Sequence, residues 1–143
     1  MEDKLEYKIT YGKEDFTDAR LIRQHVFVEE QGFENEFDEI DEYAYHLVIY
    51  QNDEAIATGR MYEKDQETMI LGRIATIKEC RKIGLGSKIV LRLENEAKQL
   101  GYIITQLSAQ QRAQGFYEKL GYQTQGEVYY DEWCPHVTMK KLL

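Results

Sequence analysis

The feature of the sequence that most constrains the fold is a strand–turn–helix–strand unit over residues 67–109. The stretch "ETMILGRIATI" is rich in β-branched residues and predicts a strand over 67–77. Apolar residues recur at helical spacing in "LGSKIVLRLENEAKQLG", which predicts a helix over 85–100 that ends at Gly101. The stretch "YIITQLSA" is apolar with little alternation and predicts a buried strand over 102–109. A helical crossover of this kind joins parallel strands of one sheet with a right-handed connection.

The segment before this unit begins with a strand and a helix. The stretch "LEYKITYG" alternates and predicts a strand over 5–11. Mixed helical spacing in "DFTDARLIRQHVFVEEQ" predicts a helix over 15–31, with Asp15 or Thr17 as its N-cap and Gly32 at its end.

The other segments favour antiparallel strands. Two β-rich runs flank "QNDE", which is typical of a hairpin, and two more strands flank "WCP" after a short helix that ends at Gly121. We therefore predict a single domain over residues 1–143. Its class is α/β (α+β), with a mixed, mostly antiparallel central sheet of six to seven strands flanked by helices on both faces.

The charge of the chain is concentrated in one segment. The formal net charge is −8, from 26 acidic and 18 basic residues. Residues 29–42, "EEQGFENEFDEIDE", hold eight of the acids and no base, so the rest of the chain balances at 18 of each sign. This distribution argues against nucleic-acid binding, which needs clustered Lys and Arg. It allows attraction of a cationic partner, although a solvated acidic loop would have the same composition.

Other features of the composition exclude membrane and metal-centred classes. No apolar run approaches the ~20 residues that a membrane-spanning helix needs. The N-terminus is charged and lacks the apolar core of a signal peptide. Cys80 and Cys134 are the two cysteines, and they have no metal-binding spacing. We predict a cytoplasmic protein without a metal.

Gly84 and Gly86 lie between basic residues and the predicted helix, where backbone N–H groups can bind a phosphate. The P-loop pattern fails because no glycine lies five positions before Gly86 and Lys88 follows Ser87. The dinucleotide pattern fails because Ile89 stands where its third glycine belongs. A lone Gly-x-Gly is also compatible with a simple turn.

Two motifs resemble those of the GCN5-related N-acetyltransferases. The stretch "RIATIKECRKIGLGSKIV" resembles their acyl-CoA-binding motif, and "QRAQGFYEKLGY" resembles a second motif downstream. The matching positions are Arg81, Gly84, Gly86, Gln111, Ala113, Tyr117, Gly121 and Tyr122. Lys78 replaces a common proline, and Gln111 replaces the usual asparagine. The resemblance covers nearly the whole chain and looks closest to the small bacterial ElaA/YjcF-like acetyltransferases.

The resemblance implies a site for acetyl-CoA as co-substrate. The backbone of β-strand residues 74–76 would pair with the pantetheine arm as an added strand would. The turn and the helix N-terminus would hold the pyrophosphate as an anion nest. The implied cofactor-binding residues are Ile74, Ala75, Thr76, Arg81, Lys82, Ile83, Gly84, Leu85, Gly86, Ser87, Gln111 and Tyr117.

The resemblance also implies catalytic roles. Tyr117 is the candidate general acid, because the ordinary pKa of a phenol, about 10, is close to that of a leaving thiol. Many family members carry a glutamate base on the strand after the helix, but "YIITQLSA" has no acid. Glu30 and His136 are the leading candidates for the base, with Glu29, Asp41 and His46 as alternatives. The acceptor pocket is predicted to include Glu29, Glu30, Phe33 and Asp41.

The predicted function is transfer of an acetyl group to a primary amine of a small, cationic molecule. One alternative is a CoA-binding regulatory module without catalysis, and another is an acyl-homoserine-lactone-synthase-like acyltransferase. Apolar strands near the C-terminus would allow a homodimer.

Overall fold

The computed structural model of the protein describes residues 4–143. Its strands are β1 (Leu5–Tyr11), β2 (Tyr45–Gln51), β3 (Glu54–Glu63), β4 (Thr68–Thr76), β5 (Ile104–Gln110), β6 (Gln123–Asp131) and β7 (Cys134–Leu142). Its α-helices are α1 (Thr17–Arg23), α2 (Leu85–Gln99) and α3 (Gln114–Lys119). The chain also winds as a π-helix over Gln24–Glu30 and as 3₁₀ turns over Glu39–Glu42, Lys78–Ile83 and Gln111–Ala113. The seven strands form a sheet in the order β1-β2-β3-β4-β5-β7-β6.

Strands β4 and β5 pair in parallel, and the other neighbouring strands are antiparallel. The predicted fold class is therefore confirmed. The parallel ladder runs only from Thr68 opposite Ile104 to Leu71 opposite Leu107. Both strands continue beyond it, β4 to Thr76 and β5 to Gln110, without pairing with each other. The sheet is therefore split between the carboxyl ends of these two strands.

A β-bulge accompanies the split. Arg60 of β3 lies opposite Gly72, whereas Thr58 lies opposite Ala75, so β4 carries extra residues against Gly59. Arg73 within the bulge has a φ of 51°, in the left-handed region that side chains other than glycine rarely adopt. Because a bulge bends its strand and increases the local twist, the end of β4 turns away from β5.

Helices cover both faces of the sheet, as predicted. Alternation along β2 places Leu47 and Ile49 in one apolar cluster, together with Ile89 and Leu93 of α2. Val48, which points to the opposite face, belongs to a second cluster that contains Ala19 and Ile22 of α1. The two clusters fix α1 and α2 on opposite faces and so hold the split between them.

The first helix differs from its prediction at both ends. Phe16 is the N-cap residue and makes no side-chain cap hydrogen bond, so the predicted capping by Asp15 or Thr17 is wrong. Asp15 instead pairs with Lys8 of β1. The helix changes from α to π winding at Gln24 and ends before Gly32, so the predicted span is divided between two helical forms.

Gly59 offers a test of the packing of α2 on the sheet. A Cβ atom at this position would lie 2.6 Å from Cγ2 of Ile89 and 3.2 Å from Cδ1 of Leu93. We expect Gly59→Ala to lower the free energy of unfolding by about 1–3 kcal/mol, because overpacking forces the helix to shift. Gly72→Ala is the matched control, since a Cβ atom there meets nothing within 4 Å. Urea denaturation compares the two variants, and equal stabilities would contradict the described packing.

Candidate active site

A cleft of about 320 Å³ fills the split between β4 and β5. Ile70–Ile74 of β4 form one wall, and Leu107, Ser108 and Gln110 of β5 form the other. Tyr117 of α3 and His136 of β7 also line it. The volume is within the range of small-molecule sites. Of the residues predicted from the sequence to act in catalysis or substrate binding, the cleft brings together Tyr117, His136 and Phe33.

The edge of β4 in the cleft exposes backbone hydrogen-bonding groups. The N–H of Ile77 donates to the carbonyl of Ile56 at 3.0 Å, so Ile77 directs its backbone groups toward β3. Because these directions alternate along a strand, Ala75 also faces β3, while Ile74 and Thr76 face the cleft. An extended ligand could therefore pair with Ile74 and with the N–H of Thr76, whose carbonyl accepts from Arg81 at 3.0 Å. Ala75 contributes a buried side chain to the cluster under α1.

The turn before α2 lies where β4 ends. Gly84 has a φ of 78° and is the N-cap of the 15-residue helix α2, without a side-chain cap. Ser87 donates its hydroxyl to the carbonyl of Gly84 at 2.9 Å, which leaves the first backbone N–H groups of the helix without a side-chain acceptor. Lys82 and Ile83 are exposed beside them. This end of α2 has the geometry of an anion site.

Arg81 is held by protein groups in this turn. Its Nε donates to the carbonyl of Thr76 at 3.0 Å, and both terminal nitrogens donate to the carboxylate of Glu30. The hydrogen bond from Arg81 holds the pKa of Glu30 below its usual range. A carboxylate with a lowered pKa is a weak base, so the pair suits a structural link between the π-helix and the turn.

Tyr117 lies in the cleft as a phenol in an apolar environment. Its ring packs edge-on against Phe116 at 5.0 Å and Tyr122 at 6.0 Å between centroids. Burial raises the pKa of Tyr117 to about 12. The hydroxyl therefore remains protonated at neutral pH, which is the state that a general acid needs, but this pKa lies further above that of a thiol than the ordinary phenol value does.

His136 lies on β7 opposite Gln110 of β5 and Tyr129 of β6. Its side chain is buried, and Nδ1 lies 3.0 Å from the carbonyl oxygen of Cys134. A carbonyl only accepts, so Nδ1 carries the proton of the neutral ring and Nε2 keeps its lone pair. The hydrogen bond thus fixes the tautomer that a general base requires.

A loop after the π-helix forms the outer wall of the cleft. Phe33 is buried and stacks on Trp133 at 5.4 Å between ring centroids. The carboxylate of Glu132, in the β6–β7 turn, accepts the backbone N–H groups of Glu34 and Asn35 at 3.0–3.2 Å. These contacts tie the loop to a hairpin about a hundred residues away in the sequence, and they place Phe33 at the mouth of the cleft.

A network of ion pairs lies behind this loop. Asp41 accepts hydrogen bonds from Arg23 at 2.7 and 3.1 Å and from Arg60 at 2.8 Å. Asp38 accepts two from Arg60, at 2.8 and 3.1 Å, and Glu36 accepts one from Nε of Arg23 at 2.8 Å. A third arginine, at position 73, contacts both Glu36 and Asp38. We call these six side chains the arginine–carboxylate network: Arg23, Arg60, Arg73, Glu36, Asp38 and Asp41.

The pKa values within the network follow its contacts. Burial opposes ionisation of Asp38 and Asp41, but the hydrogen bonds and charges of their arginines outweigh it and hold both pKa values below the usual range. Burial raises the pKa of Glu36 against the pull of Arg73 and Arg23.

Comparison with known proteins shows the family of the chain. A family model described as "Acetyltransferase (GNAT) domain" matches residues 10–143. The chain is a member of the GNAT acetyltransferase family. The family assignment makes it an acyltransferase.

Relatives of this GNAT protein span almost its whole length. The Bacillus subtilis protein named uncharacterized N-acetyltransferase YjcF is 35% identical over 136 residues, which cover 93% of this chain and 96% of that protein. The crystal structure of Escherichia coli ElaA is 25% identical, with a TM-score of 0.85 over 96% of this chain and 99% of that one. The predicted resemblance is therefore confirmed.

A further solved structure is a GNAT family acetyltransferase from Elizabethkingia anophelis with acetyl-CoA bound. It is 15% identical, with a TM-score of 0.72 over 96% of this chain and 98% of that one. At this identity the likeness shows the fold alone.

The structure corrects the predicted acceptor contacts. Asp41 is 0% exposed and its carboxylate is held by two arginines, so it cannot meet a substrate in this GNAT protein. Glu29 and Glu30 lie outside the cleft, in a shallow depression beside Lys78. His46 is buried against the carbonyl of Asp41, at 3.0 Å, and also lies outside the cleft. Four of the eight acids in residues 29–42 are thus paired with arginines: Glu30, Glu36, Asp38 and Asp41.

Sequence reasoning missed the three arginines that line the cleft, Arg60, Arg73 and Arg112. Arg60 and Arg73 each follow a glycine inside an apolar strand, in "ATGRMY" and "ILGRIA". A charged residue in the middle of an apolar strand needs a buried partner, and this signal could have linked both to the acidic segment.

Within residues 4–143, no helix is long and apolar enough to span a membrane. The same residues contain no group of three or more His, Cys, Asp or Glu side chains placed to hold a metal ion.

The arginine–carboxylate network predicts a large effect of one neutral substitution. We expect Asp41→Asn to lower the free energy of unfolding by about 3–5 kcal/mol, because two buried arginines lose a shared carboxylate. Glu39→Gln is the control, since Glu39 is exposed and makes no ion pair within the described residues. That control should change the free energy by less than about 0.5 kcal/mol.

The same variant gives a test in acid. Since the pKa values of Asp38 and Asp41 are lowered in the folded state, their stabilisation is complete above about pH 4 and is lost as the pH falls through the folded values. Asp41→Asn removes one of these contributions, whereas the opposite contribution of Glu36 remains. The free energy of unfolding, measured by urea denaturation between pH 6 and 3, should therefore fall less steeply in the variant. A parallel fall in both proteins would contradict the assignment.

Proposed function

We propose that the protein is an acetyl-CoA-dependent N-acetyltransferase that transfers the acetyl group directly to a primary amine of a small molecule. The observation that carries the proposal is the cleft between β4 and β5, with Tyr117 and His136 in its lining. The backbone edge at Ile74 and at the N–H of Thr76 leads from this cleft toward the turn at Gly84.

The residues around the cleft fit the parts of acetyl-CoA. The edge of β4 supports binding of the pantetheine amides, which pair as a strand would. The N-terminus of α2, with Lys82 and Ser87 beside it, supports binding of the pyrophosphate. Arg81 can join that contact only by exchanging part of its pairing with Glu30. Gln111 is exposed at the end of β5, next to the cleft residue Gln110.

The proposed chemistry assigns one proton transfer to each cleft residue. Nε2 of His136 takes a proton as the amine nitrogen forms its bond to the carbonyl carbon of the thioester. When the carbon–sulfur bond breaks, the hydroxyl of Tyr117 donates a proton to the thiolate. The products are the N-acetylated amine and free CoA. A proton that passes through solvent from the imidazolium of His136 to the tyrosinate of Tyr117 restores both side chains, so atoms and charges balance.

The direct test has two readouts. Calorimetry should show binding of acetyl-CoA in the absence of any amine. Release of the CoA thiol should accelerate with members of a panel of primary amines relative to a reaction without an amine. Binding without release, for the whole panel, would favour the alternative of a CoA-binding regulatory module.

Tyr117→Phe tests the role of the general acid. We expect kcat to fall about 100-fold, with the dissociation constant for acetyl-CoA changed less than twofold, because only the departing thiolate loses its donor. Tyr130→Phe is the matched control, since Tyr130 is 71% exposed and lies outside the cleft. Steady-state kinetics and calorimetry on both variants provide the measurements. An unchanged kcat in Tyr117→Phe would contradict the assignment of Tyr117 as the general acid.

The ion pairs of the acidic segment remove part of the support for a cationic acceptor. Glu36, Asp38 and Asp41 are occupied by arginines, and Glu30 is occupied by Arg81. The proposal is therefore limited to a primary amine of a small molecule.

The homodimer stays a prediction. Strand β6 forms one edge of the sheet, and Tyr130 and Trp133 are exposed near it. Light scattering on variants of this surface would measure whether it joins two copies of the chain.

A further inference from the structure

Arg73 has an unusual position in the wall of the cleft. It lies in the β-bulge of β4, directly after the last residues that pair with β5, and its φ is 51°. Its side chain is 26% exposed and lines the cleft. A non-glycine residue in the left-handed region is a strained feature that commonly marks a functional position.

The guanidinium of Arg73 is the least compensated in the arginine–carboxylate network. Its Nε lies 3.0 Å from Oε2 of Glu36, and that oxygen lies closer, at 2.8 Å, to Nε of Arg23. Its Nη2 lies 3.4 Å from Asp38, which Arg60 holds at 2.8 and 3.1 Å. Each carboxylate that contacts Arg73 is therefore bound more closely by another arginine.

One end of the guanidinium is free. Nε and Nη2 of Arg73 also donate to the backbone carbonyl of Glu36, at 3.2 and 3.1 Å, whereas Nη1 has no hydrogen-bond partner within residues 4–143. The network thus orients the side chain and leaves N–H donors for a group in the cleft. Arg60, whose Nε is buried without a partner, also lines the cleft, but its terminal nitrogens are held by Asp38 and Asp41, and Glu36 lies in the same lining.

The opposite wall has the complementary character. His136 supplies Nε2, and Asp131 and Glu132 line the cleft from the β6–β7 hairpin. Glu132 is engaged by the backbone of Glu34 and Asn35, and Asp131 is exposed. Asp131 and His136 on this side can receive an amine, while Arg73 on the side of β4 can receive an anion. Arg112, which donates to Gln110 at 2.7 Å, is a second cation in the lining.

We propose that Arg73 binds a carboxylate of the acceptor, so that the substrates are amines that also carry a carboxylate, the class to which amino acids belong. This inference rests on the proposed acetyl transfer. A guanidinium and a carboxylate form charge-assisted hydrogen bonds with matched planar geometry, which an ammonium group does not reproduce. Arg73 would act on specificity, at a distance from the atoms that react.

The test compares amino acids with their carboxamides, which keep the amine and lack the charged carboxylate. In the unsubstituted protein, kcat/KM should favour the acids over the amides. We expect Arg73→Gln to lower kcat/KM for the acids about 10- to 100-fold, mainly through KM, and to change the amides less than threefold. Arg73→Lys should give an intermediate loss of kcat/KM for the acids, because lysine keeps the positive charge but lacks the paired N–H donors of a guanidinium.

Arg92→Gln is the matched control. Arg92 lies on α2 over the ring of Tyr7, at 4.9 Å, outside the cleft, so its loss changes net charge equally without touching the proposed contact. Kinetics with acids and amides should be unchanged in this variant. Equal losses for acids and amides in Arg73→Gln, or a preference of the unsubstituted protein for amides, would overturn the inference.

A binding measurement separates this inference from the proposed function. Amino acids are titrated by calorimetry into the CoA-bound protein and into the CoA-bound Arg73 variants. Binding that Arg73→Gln abolishes, without release of thiol from acetyl-CoA, would reject acetyl transfer and keep the carboxylate site. Turnover of amines, with kcat/KM for the acids unchanged by Arg73→Gln, would keep acetyl transfer and reject the carboxylate site. Should Arg73→Gln fail to fold, Arg73→Lys and the acid–amide comparison in the unsubstituted protein still decide the question.

Discussion

The separation of β4 from β5 beyond Leu71 is the constraint on which the rest of the site depends. Strands that remained paired would satisfy each other's backbone groups and leave no room between them. The bulge at Arg73 and Ile74 turns β4 aside, and the apolar clusters under α1 and α2 hold the sheet on both faces of the split. The open edge of β4, the cleft and the approach to the N-terminus of α2 all follow from this one departure from regular pairing.

The arginine–carboxylate network makes that split stable on its outer side. Buried ion pairs contribute little net stabilisation when compared with an apolar core, but removal of one partner leaves a buried charge that is costly. The network therefore acts mainly to specify one position for residues 36–41 and for Arg73. The acidic segment, which as a sequence resembles a solvated negative surface, is the part of the chain that orients the arginines of β3 and β4.

Local patterns were sufficient to predict most of the fold. Strand 67–77, helix 85–100 and the Gly84 turn depend on spacing and backbone conformation, which neighbouring residues determine. Contacts between distant residues could not be read in the same way. Glu30 pairs with Arg81, 51 positions away, and Glu34 contacts Glu132, 98 positions away. These contacts determine which acidic side chains are available to a substrate. The sequence therefore could not decide the roles of Glu29, Glu30 and Asp41.

The contrast between local patterns and distant contacts explains why acetyl-CoA is easier to infer from the sequence than the acceptor is. Acetyl-CoA would be held largely by backbone groups of one continuous segment, residues 74–87, and such a segment carries a recognisable motif. The acceptor would be held by side chains from β4, β7 and the loop at Phe33, which the fold brings together from separate parts of the chain. Arg73 connects the two binding regions. It has a left-handed φ, and the carboxylates that contact it are shared with other arginines. The same bulge opens the edge of β4 for acetyl-CoA and directs Arg73 toward the acceptor.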